Sequence, residues 1–269
     1  MEISDVGRKL QDIVIASSDE TNLPPLIAKR LLNFLKLDFT QFSLEDLADY
    51  CLVSPASLSR FIQKLGYFNY QEFKAAVNVT RQRVYKENNG KQNEIYSSQL
   101  SFKQNSQKYA DLIKESIAST EKVINFDQLD KICQIIHDTD NVYLFGVHSS
   151  GDILRELQYA FLTIGKFVNY YDGRNNQKDI AKRIEDGSLI IFLSVYGNFF
   201  RHIGDFLSRI DLISSKSILI TANKSIKIQK LFDDIIDLGF SPSQSTGSYQ
   251  AQFLIDILFS RYRFLFPSD

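Results

Sequence analysis

SLEDLADYCLVSPASLSRFIQKL, residues 43–65, holds two short helical patterns on either side of a brief break. Leu44, Leu47, Ala48 and Cys51 fall at i, i+3, i+4 and i+7, and Leu58, Phe61, Ile62 and Leu65 repeat that spacing. Each set puts an apolar stripe on one helix face. Both patterns carry start signals. Ser43 is placed to cap the first helix, with Asp46 three residues on to close a capping box. Ser54 is placed to cap the second, and Pro55 suits the first helical position, where no backbone N–H is needed. Gly66 is a good stop. A helix, a tight turn and a second capped helix is the plan of a helix-turn-helix DNA reader.

The second helix turns a distinctive face outward. With its apolar stripe inside, Ser54, Pro55, Ala56, Ser57, Ser59, Arg60, Gln63 and Lys64 are left as the candidate DNA-binding residues. The helix start is small enough to enter a major groove. Ser and Gln donate to and accept from base edges, and Arg reads guanine or phosphate. From Val53 to Lys86 the basic residues are Arg60, Lys64, Lys74, Arg81, Arg83 and Lys86, against Glu72 alone. That is a local basic footprint in a chain whose net charge is −1. An ordinary helical hairpin with a solvated polar face fits the same pattern.

Working outward, residues 3–80 read as all helix: Ile3 to Ala16, Pro25 to Lys36, the capped pair, and Tyr70 to about Tyr85. The segment KENNGKQNE, Lys86 to Glu94, is polar, rich in Asn and contains Gly90, so it reads as a linker. A helical pattern then runs from about Ser97 to Val123. It is expected to pair with a partner chain or to pack on the next domain. After Asp140 short apolar runs alternate with helical stretches. The runs are Val142 to Phe145, Phe167 to Tyr170, Leu189 to Leu193, Ile218 to Ile220 and Ile235 to Leu238. Helical patterns such as Ile153 to Ile164 and Phe199 to Ile210 separate them. This alternation predicts a five-stranded parallel sheet with helices on both faces. The expected fold is therefore an all-α helix-turn-helix domain (1–86), a linker with the start of a connecting helix (87–107), and an α/β sandwich domain (108–269).

In such a sheet, ligands bind outside the carboxyl ends of the strands, near a switch in strand order. Two strand ends carry suitable residues. Gly146, His148, Ser149 and Ser150 follow the first strand; Ser194, Tyr196, Gly197 and Asn198 follow the third. Small residues let backbone amides approach an anion at a helix start. The same residues would also serve simply to cap helices and turn the chain. His148 reads either as a phosphate ligand or acid–base group, or as a hydrogen-bonded spacer. His137 and His202 read as helix-surface residues.

Composition sets the outer limits. With 269 residues, 44% hydrophobic and 23% charged, the chain suits two globular domains. No apolar run approaches a membrane span, and MEISDVGRKL has no secretory apolar core. A cytoplasmic protein is expected. Cys51 and Cys133 lie in helical stripes and read as buried free thiols. No Cys/His spacing suggests a metal site, and no cofactor is expected.

Two sets of motifs resemble a known family. DLADYCLVSPASLSRFIQKLGYFNYQEFKAAV is similar to the helix-turn-helix domain of RpiR-type (MurR/RpiR) transcriptional regulators, whose second helix reads V-S-x-x-[ST]-[LIV]-x-R-[FL], then K-L-G and an aromatic. GVHSSGDILRELQYAFLTIGKFV resembles the first motif of the sugar isomerase (SIS) domain, G-x-G-x-S. SLIIFLSVYGNFF resembles the second, S-x-S-G-x-T. Three positions depart from these patterns: His148 stands where a glycine is usual, Tyr196 where a serine is, and Phe199 where a threonine is. Bulky rings there are expected to crowd a phosphate pocket. The resemblance implies a homodimeric or tetrameric regulator of sugar or amino-sugar genes, with a double-stranded DNA operator and a phosphorylated sugar as effector. No catalytic residues are assigned, because no acid–base pair is evident. A sugar-phosphate isomerase-like enzyme, or a SIS assembly module without effector, are the alternatives.

Overall fold

The computed structural model describes residues 6–15, 22–35, 38, 41–197, 199–200, 215–224 and 230–267. The chain divides into two compact units, Met1–Asn93 and Glu94–Asp269.

The first unit is helical: α1 (Val6–Ile15), α2 (Leu23–Leu31) with a 3-10 turn (Leu32–Leu35), α3 (Leu44–Cys51), α4 (Pro55–Lys64) and α5 (Tyr70–Ile95). The capping residues act as their positions dictate. Ser43 Oγ accepts from the Asp46 N–H at 3.1 Å, and the Asp46 carboxylate accepts from the Ser43 N–H at 2.8 Å. Those bonds hold the Asp46 carboxyl below its usual range. Ser54 Oγ accepts from the Ser57 N–H at 3.2 Å. Between the helices, Leu52 takes a left-handed turn at φ 55 with its side chain exposed. Gly66 follows α4 at φ 87, a conformation that glycine adopts without Cβ strain. The apolar stripes meet in one core, in which Leu47, Leu58 and Ile62 are completely buried beside Leu10, Leu31 and Phe73.

The polar stretch Lys86 to Glu94, read as a linker, contains the boundary between the two units but is helical, because α5 runs through it to Ile95. Phe73, Ala76 and Val77 anchor the start of α5 in the core, so the helix nucleus is already formed. Propagation then adds one hydrogen bond for each residue fixed. Lys, Glu and Gln are good helix formers, and single Asn and Gly residues cost only about 1 kcal/mol or less each.

The second unit comprises α6 (Phe102–Val123), α7 (Phe126–Asp138), β1 (Val142–Phe145), α8 (Ser149–Leu162), β2 (Asn169–Tyr170), α9 (Arg174–Ala181), β3 (Leu189–Leu193), β4 (Lys216–Thr221), β5 (Asp234–Asp237) and α10 (Gly247–Leu265). All strand pairs are parallel, in the order β2-β1-β3-β4-β5. Side chains alternate between two cores. Leu144, Leu189, Ile191, Ile218 and Ile220 face α7, α8 and α10. Phe145, Ile190, Phe192 and Leu219 face the other side with Phe199 and Phe200. Every residue of β3 is buried, as expected for a strand covered on both faces. The edge strand β2 is shorter than its apolar run: Phe167 is exposed, and pairing reaches only Asn169 and Tyr170. Connecting helix α6 packs on α10. The expected helix over 199–210 and His202 lie largely or wholly outside the described residues.

Candidate functional site

Two places in the chain gather the sequence-nominated residues. The first is the outer face of α4. Pro55, Ala56, Arg60, Gln63 and Lys64 are exposed, and Ser57 and Ser59 are partly exposed. The Ser54 hydroxyl is occupied as the cap and lies 2.9 Å from Ser57 Oγ. Arg60 Nε donates to the Ala56 carbonyl at 3.3 Å, so the guanidinium lies back along the small-residue start of the helix.

The basic footprint is narrower than composition suggests. Lys74 Nζ donates to the Phe42 carbonyl at 3.0 Å and sits over the Tyr70 ring. Arg81 pairs with Asp38 at 2.6 Å. These cations hold the unit's own chain, which leaves Arg60 and Lys64 as the exposed basic pair on α4. Arg83 and Lys86 side chains lie outside the described residues.

The second place is the crevice at the carboxyl ends of the sheet. Connections leave β1 toward β2 on one side and β3 toward β4 on the other, so strand order reverses between β1 and β3. Adjacent strands that diverge in this way open a crevice between the loops that come after them. Phe145 pairs in register with Phe192, which brings 146–148 beside 194–197. Both glycines sit in close quarters. A Cβ at Gly146 would meet Leu154 Cδ1 at 2.8 Å, and one at Gly151 would strike the Tyr170 hydroxyl. α8 starts without a side-chain cap, its N-cap residue being His148. Uncapped first-turn N–H groups and the positive end of the helix dipole favour an anion there. Ser150 is 7% exposed at that start, and Ser149 is exposed. Nearby acidic charge is partly offset, since Arg155 bonds Asp152 at 3.2 Å and Asp172 at 3.1 Å. Burial first, and then Asp172, push the Tyr170 hydroxyl up to about 12.

His148 takes φ 59 and ψ −134, a backbone conformation that L side chains rarely adopt. The departure from the motif's glycine thus keeps the glycine's backbone. His148→Gly is expected to stabilise the second unit by about 1 kcal/mol, because strain of this kind costs roughly 1–3 kcal/mol and glycine's larger unfolded-state entropy takes back part of it. Denaturant midpoints of the two proteins check this. A lower midpoint for the glycine variant would show that the imidazole's contacts outweigh the strain.

The second loop is committed inward. Ser194 Oγ accepts from the Phe199 N–H at 3.2 Å. Phe199 is 2% exposed and packs against Phe192 and Phe200 in the far core, so it does not crowd the crevice, contrary to the sequence expectation. The Tyr196 hydroxyl lies 3.2 Å from Ser241 Oγ and from the carbonyls of Ser243 and Gln244. Gly197 turns at φ 74 against Asn223. Asn198 lies outside the described residues. Sequence reading missed the groups that hold this loop. Thr221 Oγ1 donates to the Ser194 carbonyl at 2.8 Å, and Asn223 Nδ2 to the Tyr196 carbonyl at 3.2 Å. Both lie at or just past the end of β4, so the strand-end rule would have found them. It also missed Gln177, whose Nε2 donates to the Gly146 and Tyr171 carbonyls at 2.7 and 3.0 Å. No sequence signal marks that residue.

No family model matches the chain. An uncharacterized HTH-type transcriptional regulator of Providencia stuartii is 23% identical over 175 residues, 63% of this chain and 60% of that protein. The match thus spans less than two thirds of that relative's length. Another uncharacterized HTH-type transcriptional regulator, from Clostridium perfringens, is 23% identical over 245 residues, 86% of this chain and 85% of that protein. The solved structure of Vibrio vulnificus NanR complexed with ManNAc-6P has a TM-score of 0.52 and 19% identity, over 97% of this chain and 92% of that chain. The last likeness shows the fold. Motifs, fold and relatives together define a helix-turn-helix unit followed by a SIS-type α/β unit. The chain is thus similar to HTH-type transcriptional regulators over much of its length, and it shares the fold of the NanR structure.

Proposed function

We propose that this chain is a DNA-binding transcriptional regulator of sugar or amino-sugar genes, reading its operator with α4 and sensing a phosphorylated sugar in the SIS-type unit. One observation carries the proposal: a capped helix in a helix-turn-helix whose outer face presents small residues at its start and Arg60, Gln63 and Lys64 further on. One such helix reads only a few base pairs, so the working form is a homo-oligomer, a dimer or tetramer, on a repeated or palindromic operator. The SIS-type unit supplies the contact between copies. It acts in the cytoplasm, where the operator is; among the described residues no helix is long and apolar enough to cross a membrane.

The phosphate of the effector sits at the start of α8, on the backbone of 148–151 with Ser149 and Ser150. The second loop contributes less, because the Ser194 and Tyr196 hydroxyls already have partners. An effector that prefers one arrangement of the regulator shifts the population toward it, and with it the DNA affinity. ManNAc-6P, the ligand of the NanR structure, is the first probe. Titrated into the labelled protein, it is expected to move amide signals of 146–151 more than the Tyr196 ring signals. A saturating titration that leaves 146–151 untouched would remove this loop from the effector site.

In this reading the SIS-type unit is a sensor without catalysis. Interconversion of aldose and ketose phosphates by the purified protein would overturn that part of the proposal.

A further inference from the structure

The crevice loop and the connecting helix α6 are joined by a run of hydroxyl groups, part-buried at the loop end and fully buried at the α6 end. At one end, Tyr196 reaches from the loop after β3 to Ser241 Oγ at 3.2 Å. Its ring lies close against Gly247, where a Cβ would meet Tyr196 Cζ at 2.6 Å. Ser241 Oγ donates to the Ser243 carbonyl at 2.6 Å and Thr246 Oγ1 to the same carbonyl at 3.0 Å, so that carbonyl joins the two hydroxyls, which lie 3.3 Å apart. At the other end, Ser116 Oγ on α6 donates to Thr246 Oγ1 at 2.6 Å. Ser116 and Thr246 are completely buried, so water cannot replace this bond cheaply.

The segment 238–246 is drawn close to α6 along its length. Thr120 Oγ1 donates to the Leu238 carbonyl at 2.6 Å, and Ser119 Oγ accepts from the Phe240 N–H at 2.9 Å. A Cβ at Gly239 would stand 2.7 Å from the Ser119 carbonyl oxygen, so only glycine admits this approach. Gln250 on α10 ties both sides with one amide, its Nε2 lying 3.2 Å from the Ser116 carbonyl and 2.9 Å from that of Leu238. A polar seam of this kind moves as a unit or breaks at a cost.

We propose that the Tyr196–Ser241–Thr246–Ser116 hydroxyl chain is a conformational link that transmits a displacement of the 194–197 loop to α6. The motif's usual serine would be too short for the reach that the tyrosine makes here. α6 is the first helix of the second unit, and the chain connects it back through α5 to the helix-turn-helix. The regulatory use of the link rests on the effector reading above; the link itself does not.

Hydrogen exchange on the full-length, unliganded protein tests it. Tyr196→Phe keeps the ring and removes only the hydroxyl. It is expected to speed exchange about fivefold both in 241–246 and in the α6 amides around Ser116, the loss of the part-buried Tyr196 hydroxyl felt at a distance. In a Ser116→Ala background, Tyr196→Phe should still speed 241–246 and should leave α6 where Ser116→Ala put it. A folded Tyr196→Phe protein with unchanged α6 exchange would overturn the link, as would an undiminished effect on α6 in the Ser116→Ala background. Ser241→Ala provides an independent cut with the same expected pattern. No ligand enters this measurement. Failure of sugar phosphates to bind would sink the effector reading alone, and unchanged α6 exchange would sink the link alone.

Discussion

Arg60→Ala is expected to weaken operator binding by about 1–3 kcal/mol, roughly five- to a hundred-fold, and to relax specificity at the base pair it reads. Arg60 is exposed on α4, one turn beyond Ala56, whose small side chain leaves room for a groove wall. Its loss removes a planar group with several donors that no neighbour replaces. Lys64→Ala is the informative partner variant. Lys64 lies at the end of α4 and suits a phosphate, so its loss should weaken all duplexes nearly uniformly and lower the salt slope by about one. Fluorescence titration of a selected operator at several salt concentrations separates the two behaviours. Unchanged affinity for a folded Arg60→Ala protein would take Arg60 out of the interface. The cations Lys74 and Arg81 are expected to matter less for DNA, because each already holds part of its own unit.

Gly151→Ala is expected to destabilise the second unit by about 1–3 kcal/mol, the usual cost of forcing an extra methyl into a filled site. The added Cβ would strike the hydroxyl of Tyr170, a 6%-exposed ring at the end of β2, and approach the Gly146 carbonyl oxygen at 3.3 Å. Neither group can yield easily. Gly146 is the first residue after β1, and Tyr170 pairs with Leu144. Tyr170→Phe should recover part of the loss in the Gly151→Ala background, since it removes the atom that is struck. Denaturant unfolding followed through the second unit measures both. An unchanged midpoint for Gly151→Ala would mean that the start of α8 has slack, and that the glycine serves only to admit a ligand.

The first unit was readable in sequence because its signals are local. Ser43 with Asp46, and Ser54 with Pro55, specify helix starts through bonds to their own neighbours. The apolar spacing of Leu58, Phe61 and Ile62 specifies the buried face. The parallel sheet was readable because strands covered on both faces must be apolar throughout, as β3 is. The helix through Lys86 to Glu94 was not legible because a polar, Asn-containing run has no apolar period. Its helix is an extension of one nucleated in the core by Phe73 and Val77, and local composition does not report that.

The strand-end loops were located by rule, but their contents depend on long-range partners. Phe199 at the motif's threonine position suggested a crowded pocket. In the structure its ring joins Phe192 and Phe200 beneath the sheet, because an apolar ring gains more from burial there than from the crevice. Tyr196 was recognised as too long for the motif's serine. Its partners at Ser241 and Ser243 lie more than forty residues on, and no periodicity connects them. His148 was legible as a departure from glycine. Its positive φ was not, since only the neighbouring strand and helix fix that turn.

Selection of binding sites from a pool of random-sequence duplexes by the full-length protein addresses the reading of α4 most directly. Enrichment of a motif with two half-sites spaced by about one helical turn or a multiple of it, lost when Arg60→Ala protein is used, is expected. A pool that stays unenriched after repeated rounds with folded protein would contradict the assignment of α4 as a reader of DNA.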